Sequence, residues 1–295
     1  MSDTACKTVV SSKLSGNING LIGVIIFSGS LPATRMAVLE MSPLFLTFMR
    51  GSIAGVLGLL LLLVLRQKRP QLSQIGSILT VALGVVMGFP LLTALALQHI
   101  SSVHSIVFLG LLPLSTAIFG VIRGGERMRL AFWFFSLLGS GWVAGFALLN
   151  TDTVSPVGDL LMLAAVMVCG LGYAEGARLS RTLGGWQVIC WALLLALPFM
   201  LVGVWLVRPL TLSDIHFPSW CALGYVSLFS MLIGFFFWYK GLAQGGIAAV
   251  GQLQLLQPFF SLGLAAWLLQ ETVSPLMLVA TLGVVACVAG SRKYS

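Results

Sequence analysis

The sequence predicts an all-α, polytopic membrane protein with ten transmembrane helices in two inverted five-helix repeats. Only 8% of its 295 residues are charged and 58% are hydrophobic, whereas a soluble domain carries about 25% charged residues. Uncharged stretches recur that are long enough for a helix of about 20 residues to cross a bilayer. The second half of the chain also repeats features of the first half. Together these three observations exclude a soluble globular protein.

The gaps between charged residues set the number of spans. Most gaps fit one helix, and the long gap from Arg69 to Arg123 divides at the polar residues 98–102, because it is too long for one helix of about 20 residues. Apolar runs such as residues 57–65 lack the alternation of barrel strands. The predicted helices cover residues 17–37, 43–65, 74–97, 101–122, 129–149, 157–178, 185–207, 218–240, 246–269 and 274–291.

The first 16 residues are polar, and no small-residue cleavage site follows an apolar core. We therefore expect an uncleaved first span in place of a signal peptide. The predicted organisation is a cytoplasmic tail over residues 1–16, a first repeat over 17–149, a second repeat over 150–291 and a cytoplasmic tail over 292–295.

The basic residues predict the orientation of the chain. With the N-terminus in the cytoplasm, all but three of the 16 lysines and arginines lie on the inner side, and the exceptions are Arg35, Arg50 and Arg208. Cytoplasmic loops accumulate Lys and Arg, so we expect a multi-pass protein of the inner (cytoplasmic) membrane with both termini cytoplasmic. The net charge of +8 is scattered over short segments, which argues against a nucleic-acid partner.

The two halves align with each other. A shift of 145 places Pro113 on Pro258 and Glu126 on Glu271, and a shift of 143 lays residues 33–35 beside 176–178. Five helices per half is an odd number, so the second copy enters the membrane from the opposite side. Inverted repeats are typical of secondary transporters with a substrate site near the midplane. Chance similarity between apolar segments is the alternative.

Short motifs occur in both halves, at residues 27–28, 31–35, 110–114, 125–127, 172–176, 185–187, 234–243, 254–258 and 268–271. In their order and spacing they resemble the EamA family of the drug/metabolite transporter superfamily over essentially the whole chain. The resemblance implies two five-helix repeats around a central cavity and transport, often export, of amino acids, other small metabolites or drugs. Gln270 departs from the usual pattern, in which a glycine precedes the glutamate.

Candidate cavity walls follow from two prolines and a polar stripe. Pro113 and Pro258 interrupt corresponding helices and deprive the carbonyls four residues earlier of their usual donors. Such backbone must face protein or a wet cavity in a membrane. Gln254, Gln257 and Ser261 share one face of the ninth helix, where they either bind substrate or bond to other helices.

Aromatic residues and one histidine complete the candidate substrate site. Tyr173, Phe89 and Trp238 can stack on a flat substrate. His104 is a candidate proton carrier because histidine is the side chain that ordinarily titrates near neutral pH, although a lone histidine is more often a core residue. At the predicted cytoplasmic end of the eighth helix, Tyr239 is explained by an interfacial aromatic belt.

Charges within the spans are functional candidates because they are costly in lipid. We expect Arg35, Arg50, Glu175 and Arg178 to act in gating or coupling, or to hold a substrate carboxylate. Glu175 and Arg178 are three residues apart and can pair, and Glu40 is close enough to pair with Arg35 or Arg50. Snorkelling to the headgroups is the alternative for Arg178.

The predicted function is a secondary transporter or facilitator that moves small amphipathic metabolites (amino acids, related compounds or drugs) across the cytoplasmic membrane by alternating access, in the export direction. Its expected partners are the lipid bilayer and a small-molecule substrate. Glu175 and His104 permit proton coupling. The sequence lacks a phosphate-binding loop for ATP, and we expect no cofactor, no bound metal and no catalytic residues. The alternatives are a non-transporting assembly subunit and, less favoured, a membrane-embedded enzyme, for which catalytic groups at suitable spacing are missing.

Overall fold

The fold comes from a computed structural model, which describes residues 2–100, 105, 108–148, 155–209, 213–269 and 275–294. Within these ranges the chain forms ten helical segments without strands, which confirms the predicted fold class. The helices are α1 (Ser2–Ser28, continued after Gly29 by Ser30–Val38), α2 (Pro43–Val64), α3 (Leu72–His99), α4 (Leu112–Gly124), α5 (Leu130–Leu148), α6 (Pro156–Leu183), α7 (Gly185–Val207), α8 (Phe217–Gly245), α9 (residues 247–269) and α10 (Pro275–Lys293).

Two helix starts show why the chain folds at these boundaries. Pro43 and Pro156 occupy first-turn positions, where a missing backbone N–H costs nothing. Just before them, the Ser42 hydroxyl accepts a hydrogen bond from the Phe45 amide and the Ser155 hydroxyl accepts one from the Gly158 amide. These caps satisfy amides that a helix start would otherwise leave unpaired.

The two five-helix repeats interlock. The first helix of each repeat packs on the third helix of the other, so α1 contacts α8 and α6 contacts α3. The second helices, α2 and α7, pack together, as do the fifth helices, α5 and α10. We call the end of the bundle at which α1 begins the N-terminal face, and the other end the opposite face.

Glycines allow the closest of these contacts. Gly16 and Gly20 on α1 face Gly241 and Gly245 on α8, and a Cβ atom built on Gly241 would lie 2.6 Å from the Gly20 backbone nitrogen. Small residues spaced four apart let membrane helices approach this closely. The N-terminal part of α1 is therefore fixed to α8 backbone to backbone.

Corresponding helices carry the same irregularities. Wide π-helical turns occur at Ala82–Gly88 in α3 and at Val226–Ile233 in α8, which are nearly the same positions under the shift of 145. Such turns are often found at functional sites. Pro113 lies at the start of the regular part of α4, and in α9 a tight 3₁₀ turn, Gln252–Leu256, precedes Pro258.

The outer surface of the bundle suits a lipid environment. Large apolar side chains, among them Leu63, Phe199 and Trp205, are more than half exposed, which would be unfavourable in water. Six of the described helices are long and apolar enough to cross a bilayer. The chain is thus an integral membrane protein.

Candidate functional site

A small cavity lies between the repeats, with about 40 Å³ of room for water-sized molecules. It extends from the middle of the bundle into the half nearer the opposite face. Apolar and aromatic side chains form most of the wall, and hydroxyl groups, one amide and one arginine interrupt it. The wall includes Phe27, Thr34, Phe89, Thr93, Tyr173 and Gln257.

Arg50 is the one residue of this wall, as far as the structure describes it, that is charged at neutral pH. Its side chain is 6% exposed. The guanidinium Nη2 lies 3.3 Å from both the Val226 carbonyl and the Ser230 hydroxyl, which belong to the π-helical turn of α8. Its Nε has no hydrogen-bond partner among the described residues. A buried cation is therefore held only by neutral groups, which is costly.

The three aromatic candidates differ in their position relative to the cavity. Tyr173 and Phe89 line the cavity, whereas Trp238 is fully buried beneath it, with its ring centroid 5.5 Å from that of Tyr173. Trp238 Nε1 has no partner within the described residues. His104 lies outside the described residues.

The belt interpretation of Tyr239 is wrong. This side chain is fully buried, and its hydroxyl donates to the Gly172 carbonyl at 3.2 Å. The reason is that α8 continues to Gly245 instead of ending at residue 240. Trp238 and Tyr239 therefore lie more than a turn inside the helix end and pack against α6.

The polar stripe of α9 meets the break in α1. The Gln257 amide donates to the Phe27 carbonyl at 3.4 Å, and the Ser261 hydroxyl donates to the Ser28 carbonyl at 2.6 Å. The side chain of Gln254 is buried without a partner in the described part of the chain. Its backbone carbonyl is not left without a donor, because the 3₁₀ turn lets the Gln257 amide reach it. Gln257 alone of the three lines the cavity.

Between the cavity and the N-terminal face lies an ion-pair cluster centred on Glu175. The Glu175 carboxylate is fully buried, and it accepts hydrogen bonds from Ser77 on α3 at 2.6 Å, from Arg123 on α4 at 2.9 Å and from Arg178 on its own helix. The two arginine side chains are 45% exposed. One carboxylate thus joins α3, α4 and α6. The predicted pair of Glu175 and Arg178 is one of the contacts in this cluster.

A second carboxylate at this face belongs to Glu126, for which the sequence shows only the alignment with Glu271. Glu126 accepts hydrogen bonds from the Ile247 and Ala248 amides at 2.7 and 2.8 Å and pairs with Arg181 at 3.3 Å. A carboxylate is favourable at the start of a helix. Glu126 thus ties the end of α4 to the first turn of α9 and to α6.

Near the opposite face, Arg35 and Glu40 have separate partners. Arg35 donates to the Leu97 carbonyl at 2.6 Å. Glu40, which is close enough in sequence to pair with Arg35 or Arg50, contacts His216 instead. It accepts a hydrogen bond from the His216 backbone amide and lies against the His216 ring, both at 2.8 Å. Hydrogen bonds from Ser219 and from the His216 amide hold the pKa of Glu40 below its ordinary value.

The comparisons with known proteins agree with this architecture. The EamA-like transporter family matches twice, over residues 14–150 and 156–292. The uncharacterized transporter YdeK of Bacillus subtilis strain 168 is 61% identical over 281 residues, which are 95% of this chain and 98% of that protein. The uncharacterized transporter YyaM of the same strain is 25% identical over 77% of each chain.

One solved crystal structure superimposes with a TM-score of 0.79 at 19% identity, covering 95% of this chain and 99% of its own. At that identity the likeness shows the shared fold alone. The protein described here is therefore a polytopic transporter built from two repeats. It belongs to the EamA-like transporter family, and the names of the family and of its relatives describe transport, not catalysis.

Proposed function

We propose that this chain is a secondary transporter that moves small amphipathic metabolites, such as amino acids and related compounds or drugs, across the cytoplasmic membrane by alternating access, in the export direction. The N-terminal face and both termini are cytoplasmic in this proposal. Protons are the coupling ion that Glu175 permits. The gating residues are Glu175 and Arg178 at one face and Arg35 at the other.

One arrangement carries the proposal: the cavity extends from the middle of the bundle toward the opposite face, and the Glu175 cluster lies between the cavity and the N-terminal face. The carboxylate of Glu175 joins α3, α4 and α6 on the N-terminal side of the cavity, and this supports a closed N-terminal face. Inverted repeats allow the same arrangement to form in the other sense. These two features support a substrate site that opens to one face at a time.

The substrate site in this proposal comprises Phe89, Tyr173 and Gln257 from the cavity wall, with Trp238, Gln254, Ser261 and His104 as further candidates. Apolar walls with a few polar groups suit amphipathic small molecules. The hydrogen bonds of Gln257 and Ser261 to α1 also support a structural role for these two side chains. The helix interruptions at Pro113 and Pro258 are proposed to shape the cavity.

Counterflow in proteoliposomes that contain only this protein tests the proposal. Vesicles are preloaded with an unlabelled amphipathic amino acid or a related acid, and uptake of the labelled compound is followed at two pH values. Transient accumulation above the protein-free control is expected. Its absence across a panel of such compounds would favour the assembly-subunit alternative.

A further inference from the structure

We propose that the cavity selects small organic anions, and that Arg50 binds the carboxylate of the substrate while the aromatic part of the wall holds its apolar end. This inference rests on the proposed function, because it assigns a substrate class to the same cavity. The observation behind it is that the buried Arg50 guanidinium has only neutral partners among the described residues.

A buried arginine normally has a carboxylate partner, because an uncompensated charge in a low-dielectric interior is costly. Glu175, which is also buried, follows this rule with two arginines. Arg50 does not, within the described residues: its partners are a carbonyl and a hydroxyl, both at 3.3 Å, and its Nε has none. The missing anion is therefore expected to come from outside the protein.

The position of Arg50 makes this binding possible. Its side chain lines the cavity together with the hydroxyl-bearing residues Ser30, Thr34 and Thr93. The Thr93 hydroxyl is buried and has no partner in the described part of the chain. A guanidinium and a free hydroxyl in one cavity are the donors that a carboxylate requires.

The remainder of the wall determines the other end of the ligand. Phe27 and Phe235 lie with their ring centroids 5.0 Å apart, and Tyr173 packs edge-on against Phe235 at 5.9 Å. None of the described wall residues is acidic, so a cationic ligand would meet the Arg50 charge without compensation. The cavity therefore favours an anion with an apolar or aromatic body, accepts a zwitterion less well and rejects a cation.

A purely structural role for Arg50 would give a different result. The guanidinium contacts two residues of the π-helical turn of α8, Val226 and Ser230, and could serve only to brace it. A brace would affect folding but would impose no charge preference on ligands.

Three probes with the same phenylethyl body separate these roles: phenylpropionate as the anion, phenylalanine as the zwitterion and phenethylamine as the cation. Binding to the purified full-length protein in detergent is measured by calorimetry. The wild type is expected to bind phenylpropionate about tenfold or more tightly than phenethylamine, since charge-assisted hydrogen bonds are the strong ones. Equal affinity for the two, or binding of none of the three, would overturn the inference without any variant.

Variants then assign the preference to Arg50. Arg50→Gln is expected to weaken phenylpropionate binding by about tenfold or more, whereas Arg50→Lys retains the preference for the anion. Arg208→Gln, which removes an exposed arginine near the opposite face, should leave the preference unchanged. An anion preference that survives in folded Arg50→Gln would contradict the assignment.

Counterflow of the same probes distinguishes the two proposals. Transport without charge preference would end the Arg50 inference and leave the proposed transport function intact. Anion-selective binding without counterflow of any probe would support the Arg50 inference and contradict the proposed transport function.

Discussion

The corresponding helices α1 and α6 differ most where the repeats align. Under the shift of 143, Arg35 on α1 lies beside Arg178 on α6, and Pro32 lies beside Glu175. α6 is continuous and its carboxylate binds two arginines, whereas α1 turns at Gly29 and Arg35 has a backbone carbonyl as its partner. The same architecture thus has a buried ion-pair cluster near one face and lacks its carboxylate near the other, which supports the proposal that the N-terminal face is the closed one.

Removing the carboxylate of the Glu175 cluster should have the largest effect on transport. Glu175→Gln leaves Arg123 and Arg178 without their shared carboxylate. Losing one partner of a buried ion pair costs about 3–5 kcal/mol, and the exposure of the two arginines reduces this to roughly 2 kcal/mol. Because the closed state loses that stabilisation, we expect the initial rate of counterflow in proteoliposomes to fall by about tenfold or more.

Glu40→Gln is the matched control for this variant, since it removes an acidic residue at the other face. A Glu175→Gln protein that folds normally and transports at the wild-type rate would show that the cluster is not part of a gate.

Arg178 and Arg35, which align between the repeats, test the difference between α1 and α6 more directly, although the expected effects on transport are smaller. Arg178→Gln removes a charged partner of a buried carboxylate, while Arg35→Gln removes one hydrogen bond to a carbonyl. We expect Arg178→Gln to reduce counterflow by about fivefold and Arg35→Gln by about twofold. Parallel rate measurements decide this, and a larger loss for Arg35→Gln would reverse the assigned roles of the two faces.

The smallest effect should come from the exposed pair of Glu40 and His216, which connects the loop after α1 to the start of α8. The pKa of Glu40 is below its ordinary value of 4.5, so the pair stabilises the fold above that value and its contribution is lost as the pH falls through the lowered pKa. Glu40→Gln should slightly lower the melting temperature at pH 6 to 7. The difference from wild type should vanish in strong acid, and a difference that grows there would contradict the assignment.

The sequence predicted ten helices because charged residues, and the polar residues 98–102, bound the apolar segments that can enter lipid. Arg50 and Glu175 stood out for the same reason. The partners of Glu175 from α3 and α4, Ser77 and Arg123, were not predicted, because no pattern within one helix shows which other helices surround it.

Two other features escaped prediction for related reasons. The charge of Lys240 predicts the end of the eighth helix there, but its exposed side chain does not interrupt α8, and Tyr239 consequently lies in the core. The π-helical turns at Ala82–Gly88 and Val226–Ile233 have no sequence signature beyond being apolar. Their shared position becomes visible only when the two repeats are compared in the structure.

The most direct test of alternating access is the side from which the cavity can be reached. Thr34 lines the cavity and is 3% exposed. A Thr34→Cys variant, in a background with the native cysteines replaced, is treated with a membrane-impermeant maleimide from one side of oriented proteoliposomes, and Thr182→Cys at the N-terminal face reports the sidedness. We predict faster labelling of Thr34→Cys from the opposite face, with the preference reduced or reversed when Glu175→Gln is added. Equal labelling from both faces, or a preference that Glu175→Gln leaves unchanged, would contradict the account.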